Sequence, residues 1–303
     1  MRIVLAGGTG FVGKALRSRL LEAGHELIVL TRRAGAGENG REKFIFWDGK
    51  TSGEWVDCLD GTDAVINLAG ENIAAKRWTC SRKQEILESR VNATRAIVEA
   101  IKAIRQKPSL LINASAVGYY GDDPDRELTE KSLQGEGFLA ETCAQWEAEA
   151  RKAETLGVRV ILARLGPVLG ENGGMLAKML PPFRCFLGAP LGTGRQWIPW
   201  VHRDDVTEIF LFLLGRQDLS GPVNVVAGAP ATMREFCLVL AKVLRRPCWP
   251  PVPSFFLRML MGEMAAIVLS SQKVMPERLL KAGYRPRHRD LTAAISGILK
   301  KAS

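Results

Sequence analysis

The stretch that most constrains this chain is Gly7-Gly8-Thr9-Gly10-Phe11-Val12-Gly13, set between the apolar run Ile3-Val4-Leu5-Ala6 and the segment Lys14-Ala15-Leu16-Arg17-Ser18-Arg19-Leu20-Leu21. That order reads as strand, tight turn and helix. Glycines at 7, 10 and 13 let the backbone turn sharply and approach a pyrophosphate, while the first N–H groups of the helix face the anion. His25-Glu26-Leu27-Ile28-Val29-Leu30 supplies a second strand and completes a βαβ unit of about 30 residues. A dinucleotide is therefore the expected ligand, with Gly7, Gly10 and Gly13 at its phosphates.

The end of the second strand bears on which dinucleotide. An NAD site places Asp or Glu there for the ribose 2′-hydroxyl, whereas this chain offers Thr31-Arg32-Arg33, a hydroxyl and two guanidinium groups suited to a 2′-phosphate. NADP(H) is the expected cofactor.

A content of 47% hydrophobic residues in 303 is ample for a buried core. The late apolar stretch from Phe255 to Leu269 is interrupted by Arg258 and Glu263 and is too short to span a bilayer, so no membrane partner is expected. The first strand starts at Arg2 or Ile3 with no room for a signal or transit peptide, which predicts a cytoplasmic protein. Six cysteines lack a C-x-x-C pair and three histidines lie far apart, so neither a metal site nor a disulfide framework is expected. A net charge of +10 is spread along the chain and mixed with acids, which suits a basic solvated surface or an anionic small ligand better than a nucleic acid.

Beyond the first unit, residues 43–47 read as a third strand and Asp63-Ala64-Val65-Ile66-Asn67-Leu68-Ala69-Gly70 as a fourth that ends in small residues, which allow close approach to a cofactor. Helical periodicity runs over 83–102, a fifth strand over 110–115, a helix over 138–156 and a sixth strand over 158–164. The alternation predicts an α/β fold with a doubly wound parallel sheet. Residues 171–200 are rich in glycine, proline and aromatics, 221–226 read as a further short strand, and the chain is mostly helical from Thr232, with a proline-rich break at 247–253. The expected division is a Rossmann domain over 1–170, with 197–228 returning to it, and a smaller, mostly helical substrate lobe over 171–303.

At the level of motifs, the chain resembles the extended short-chain dehydrogenase/reductase family, whose members include nucleotide-sugar epimerases and dehydratases. The markers are the glycine run, Asn67-Leu68-Ala69-Gly70, Ser115-Ala116-Val117-Gly118-Tyr119-Tyr120-Gly121-Asp122 and Arg164-Leu165-Gly166-Pro167-Val168-Leu169-Gly170. Glu71-Asn72-Ile73 with Lys76-Arg77-Trp78, the run from Lys178 to Arg184, Trp200-Val201-His202 and Ser271-Gln272-Lys273-Val274 with Pro276 resemble its atypical epimerase-like subfamily, family 39U and its bacterial relatives. The resemblance implies a C-terminal domain of the subfamily's own at about 250–298. It implies Phe11 and Val12 at the pyrophosphate, Thr31 and Arg32 at the 2′-phosphate, Leu68 and Ala69 along the ribose and adenine side, Glu85 and Arg90 facing the cofactor, and Val168 over the nicotinamide end. The implied substrate is a small molecule such as a sugar or nucleotide-sugar, and the implied assembly a monomer or homodimer.

One departure matters. The wider family has Tyr-x-x-x-Lys on the helix after the fifth strand, and here Cys143 and Glu147 stand at the positions expected from spacing. A carboxylate raises rather than lowers the pKa of a neighbouring acid, so this pair does not reproduce the usual proton transfer. Ser115 and Tyr119 are the remaining candidate catalytic residues, in a motif that aligns two ways: taking Tyr119 as the family's motif tyrosine makes Ser115 the active serine, and taking Tyr120 moves that position to Ala116. Asp204 or Asp205 before Val206 fits a helix cap, the role of His202 stays open, and Arg184, Arg195 and Gln196 are candidates to meet a polar substrate. Two functions stay in view: an NADP(H)-dependent oxidoreductase or epimerase-like enzyme, and a catalytically idle NADPH-binding regulator, cell-division-inhibitor-like, acting through a protein partner.

Overall fold

The computed structural model describes residues 1–32 and 37–301. Its first part runs β1 (Arg2–Ala6), α1 (Phe11–Glu22), β2 (Glu26–Thr31), β3 (Glu38–Asn39), β4 (Glu42–Phe46), β5 (Ala64–Asn67), α2 (Cys80–Ala103), β6 (Leu110–Ala116), β7 (Asp123–Leu128), α3 (Phe138–Arg151) and β8 (Arg159–Leu165). The second part runs β9 (Val168–Gly170), α4 (Gly174–Arg184), β10 (Trp197–Ile198), β11 (Val201–His202), α5 (Arg203–Gly215), β12 (Gly221–Val225), β13 (Ala231–Thr232), α6 (Met233–Leu244), α7 (Ser254–Met261), α8 (Ala266–Leu269), β14 (Gln272–Val274), α9 (Glu277–Lys281) and α10 (Leu291–Lys301).

The central sheet has the order β12-β8-β6-β5-β1-β2-β4-β3, and every neighbouring pair is parallel except β3 with β4. Its strands are apolar on both faces because both faces are covered. Ile3 and Leu5 of β1 pack with Leu16 and Leu20 of α1 and Ile209, Phe210 and Leu213 of α5. The alternate residues Val4 and Ala6 pack with Ile97 and Ile101 of α2 and Ala150 of α3. This is the doubly wound Rossmann arrangement that the alternation of elements predicts. Pro222 in β12 sits where proline is tolerated, on a strand at the sheet's edge.

Strand order reverses between β1 and β5, so a crevice opens at their carboxyl ends, where ligands of such sheets bind. The fourth strand is shorter than expected: β5 stops at Asn67, which leaves Leu68, Ala69 and Gly70 as the crevice turn. Thr79 accepts a hydrogen bond from the Arg82 N–H (3.1 Å) and starts α2 three residues ahead of the predicted position.

The smaller lobe packs α4, α6 and α10 around Leu176, Phe183, Phe236, Leu240 and Ile295. A full capping box starts α6, with the Thr232 hydroxyl accepting from the Glu235 N–H (3.2 Å) and the Glu235 carboxylate accepting from the Thr232 N–H (2.7 Å). The two parts are stitched by β14, which pairs in parallel with β7, and by Asp205 of α5, whose carboxylate accepts the N–H groups of Arg287 and His288 at 3.0 Å each. Among the described residues no helix is long and apolar enough to cross a membrane, and no cluster of three or more His, Cys, Asp or Glu could hold a metal ion.

Candidate functional site

The glycine turn is closed by the Gly10 N–H donating to the Gly7 carbonyl (3.0 Å). Gly7 has φ +77°, and a Cβ there would stand 2.7 Å from the Leu68 carbonyl carbon; at Gly13 it would stand 2.2 Å from the Gly7 oxygen. Larger residues would push β1, α1 and the 68–70 turn apart. Gly10 is the N-cap of α1 and contributes no side-chain cap, so the N–H groups of Phe11, Val12 and Gly13 begin a helix without i−4 partners, at its positive end.

Phe11 turns away from that anion-facing edge. Its ring fills a notch made by three more glycines, since a Cβ at Gly170, Gly173 or Gly174 would fall 2.9, 2.2 or 3.0 Å from it. The Arg203 guanidinium lies 5.5 Å from the ring centroid on another side. Val168, half-buried at the start of β9, pairs in parallel with Val201 of β11, shortly after the end of β8.

On the other flank Thr31 is buried and Arg32 is exposed at the end of β2, while Arg33 lies outside the described residues. Arg32 donates to one oxygen of Glu71 (3.3 Å), and the buried Arg82 approaches the other (3.4 Å) while bonding Glu85 (2.8 Å) and the Asn72 carbonyl (2.8 Å). Arg90 donates to the carbonyls of Glu71 and Ile86, both at 2.9 Å. Glu85 therefore pairs with Arg82, and Arg90 braces the turn under Gly70, where a Cβ would meet its side chain at 3.2 Å. Asn67 fixes the same turn by accepting the Ala69 N–H (3.0 Å) while donating to Thr94 and Asn113. Sequence reasoning gave no site role to Glu71, Arg82 or Asn67, although Asn67 and Glu71 stand inside the motifs that carry the family resemblance.

The centre beside β6 differs from the expectation for Ser115. Its side chain points inward, 1% exposed, and its hydroxyl donates to Glu147 (2.7 Å). Glu147 also receives a two-pronged bond from Arg164 (2.7 and 2.8 Å), and Arg164 donates to the Tyr120 hydroxyl (3.0 Å), which donates to Asn224 (2.7 Å). Strand parity sends Ser115 towards α3 and leaves the neighbouring Ala116 on the opposite face, so the serine is part of the interior. Burial alone would lower the Arg164 pKa, but its bonds to Glu147 outweigh that and raise it. Burial pushes the Tyr120 hydroxyl up to about 12 and the Cys143 thiol up to about 11, so both stay protonated at neutral pH. Tyr119 is half-buried, with the Arg164 guanidinium 3.5 Å from its ring centroid.

Around α5 the cap differs from the expected aspartates. His202 is the N-cap, its Nδ1 accepting the Asp204 N–H (3.1 Å), and its ring stacks on His288 at 3.8 Å. Asp205 is buried as the lobe staple. Gln196 is buried with its amide donating to Leu191 and Val268, which makes it a brace, while Arg184 and Arg195 are exposed.

A parallel sheet with this order and a glycine turn at its switch point define a Rossmann-type nucleotide-binding architecture. The chain belongs to the NAD dependent epimerase/dehydratase family, whose model matches residues 3–227; a domain of unknown function, DUF1731, matches 252–298. It is 38% identical to the epimerase family protein YfhF of Bacillus subtilis over 99% of this chain and 98% of that one. It is 39% identical to the chloroplastic epimerase family protein SDR39U1 homolog of Arabidopsis thaliana over 99% and 87%. The crystal structure of human epimerase family protein SDR39U1 with NADPH superposes with TM-score 0.88 at 34% identity, covering 99% of each chain.

Proposed function

We propose that the chain binds NADP(H) in the crevice between β1 and β5 and acts on a carbonyl, sugar or nucleotide-sugar substrate. The observation behind this is the unblocked N-terminus of α1 on a turn that only glycine can form, with Arg32 exposed one residue beyond β2. The NADPH in the human relative's crystal structure supports it. In this reading Gly7, Gly10, Gly13 and the N–H groups of Phe11 and Val12 hold the pyrophosphate. Thr31 and Arg32 meet the 2′-phosphate, Leu68, Ala69 and Gly70 line the adenosine side, and Val168 packs over the nicotinamide end. Arg90 and Glu85 act indirectly, Arg90 through the 70–71 turn and Glu85 through Arg82. A bound nicotinamide supplies and takes up hydride. Tyr119 is then the proton donor or acceptor within the motif, and Ser115 positions Glu147 instead of touching substrate.

The bidentate use of Glu147 by Arg164 favours a second reading, an NADPH-binding protein without turnover, because a carboxylate already committed to an ion pair stands where the family's lysine would act. Titration calorimetry with NADPH and NADH tests the cofactor: Arg32→Glu should weaken NADPH by about 10- to 100-fold and leave NADH little changed. Equal affinity for both would sink the NADP assignment. Oxidation of NADPH across a panel of carbonyls, sugars and nucleotide-sugars tests turnover. An absence of turnover with tight NADPH binding, and no effect of Tyr119→Phe, would leave the regulator.

A further inference from the structure

Of the eleven large apolar side chains that stand exposed among the described residues, seven come from two short segments of the smaller lobe. Phe186 and Leu187 follow α4; Trp249 precedes α7, which exposes Phe255, Phe256, Met259 and Leu260 and buries Leu257. Single exposed apolar residues are ordinary, but a group of this size marks an interaction surface.

The segments are bound into one face. The Trp249 indole donates to the Phe186 carbonyl (2.7 Å), and the Trp249 N–H to the Gly188 carbonyl (2.8 Å). Val252 continues the pairing, donating to Pro190 (2.8 Å) and accepting from Gly192 (2.9 Å), and α7 starts two residues later. Phe186 has φ +62° and Arg245 φ +54°, a left-handed backbone costly for such side chains, and these are two of the three non-glycine residues so placed among those described. The strained turn holds the Phe186 ring outward, with the Arg246 guanidinium 4.3 Å above it.

Charge indicates what covers the face. Residues 172–202 contain three Lys or Arg and 236–262 contain four, and neither segment has an Asp or Glu. A second copy of the chain would bring the same uncompensated cations against themselves, which opposes self-association through this face. Aromatic and aliphatic groups rimmed by cations match the boundary of an anionic bilayer, where rings enter the headgroup layer and guanidinium groups meet phosphates.

We propose that this face docks on the surface of an anionic phospholipid bilayer, with α7 lying in the interface plane and Trp249 and Phe186 inserted beside it. Membrane association of this kind is peripheral and needs no spanning helix, and it stands whether or not the cofactor reading above holds.

Cosedimentation with vesicles tests it, using phosphatidylcholine alone and phosphatidylcholine with about 30 mol% phosphatidylglycerol. The full chain should pellet with the anionic vesicles, be released by high salt, and show no pelleting above background on neutral ones. Phe255→Ser with Met259→Ser, and separately Arg245→Glu with Arg246→Glu, should each lower the bound fraction about tenfold. Both pairs are exposed, and unchanged melting temperatures would show that the fold survives. The proposal is overturned by equal pelleting on both vesicle types, by no pelleting on either, or by a dimer in sedimentation equilibrium that dissociates on Phe255→Ser with Met259→Ser.

Discussion

At the scale of single residues, the buried chain from Ser115 through Glu147 and Arg164 to Tyr120 makes two nearby substitutions differ sharply. Ser115→Ala removes one donor and leaves the ion pair intact, so urea unfolding should show a loss of about 1 kcal/mol. Glu147→Gln leaves a buried guanidinium without its carboxylate and should cost about 3–5 kcal/mol. If Ser115→Ala instead abolished a measured turnover at unchanged stability, the serine would be touching substrate. This network also shows where sequence reading stops. The glycines at 7, 10 and 13 were legible because their chemistry is local to one turn. The direction of Ser115 was not, because it depends on strand parity in a motif that aligns two ways, and its partner Glu147 is 32 residues away on another element. The replacement of Tyr-x-x-x-Lys could be read; the partner of the replacing carboxylate could not.

At the scale of elements, the tight turn between β9 and α4 depends on Gly173 as much as the first turn depends on Gly13. Gly173→Ala would drive a methyl into the Phe11 ring and should cost about 1–3 kcal/mol by overpacking. Thermal melting with and without NADPH checks this, and adding Phe11→Leu should restore part of the loss. Glu130, on the loop after β7, joins two other elements by accepting the N–H of Asn224 in β12 (3.0 Å) and of Arg278 in α9 (3.3 Å). Burial raises its carboxyl above the ordinary 4.5. A raised folded pKa means that its contribution to stability is complete below the unfolded value and is lost as pH rises through the folded one. The melting temperature of the unmodified chain relative to Glu130→Gln should therefore fall as pH rises above the ordinary carboxylate range. A flat difference would show that the carboxyl titrates normally. Element order was legible from apolar runs and glycine breaks, whereas the cap of α5 was not: aspartates at the start of a helix satisfy the capping pattern, yet the ring of His202, two residues before Asp204, takes the N–H.

At the scale of the whole molecule, the smaller lobe is joined to the sheet and its helices at several points, and Asp205 supplies two of the hydrogen bonds. Asp205→Ala should cost about 3 kcal/mol, chiefly by leaving the N–H groups of Arg287 and His288 without an acceptor. Hydrogen exchange is the suitable measurement: protection should drop along residues 287–299 and stay unchanged in β1 and β5. Equal loss everywhere would mean that the two parts unfold as one. The parallel sheet was legible from sequence because each strand is an apolar run that recurs at βα spacing. The sites of contact between lobe and sheet were not, since Asp205, Asn224 and Glu130 are polar residues whose partners lie tens of residues away.

The position of β12 has a consequence for how the chain is made. This strand pairs with β8 alone and arrives 55 residues after it. During synthesis the preceding parallel strands can assemble while the outer hydrogen-bonding edge of β8 is still bare, an edge that another nascent chain could pair with. Closing that edge late lengthens the window for mispairing, whereas in the finished sheet the new edge is a short strand interrupted by a proline, which limits further pairing there.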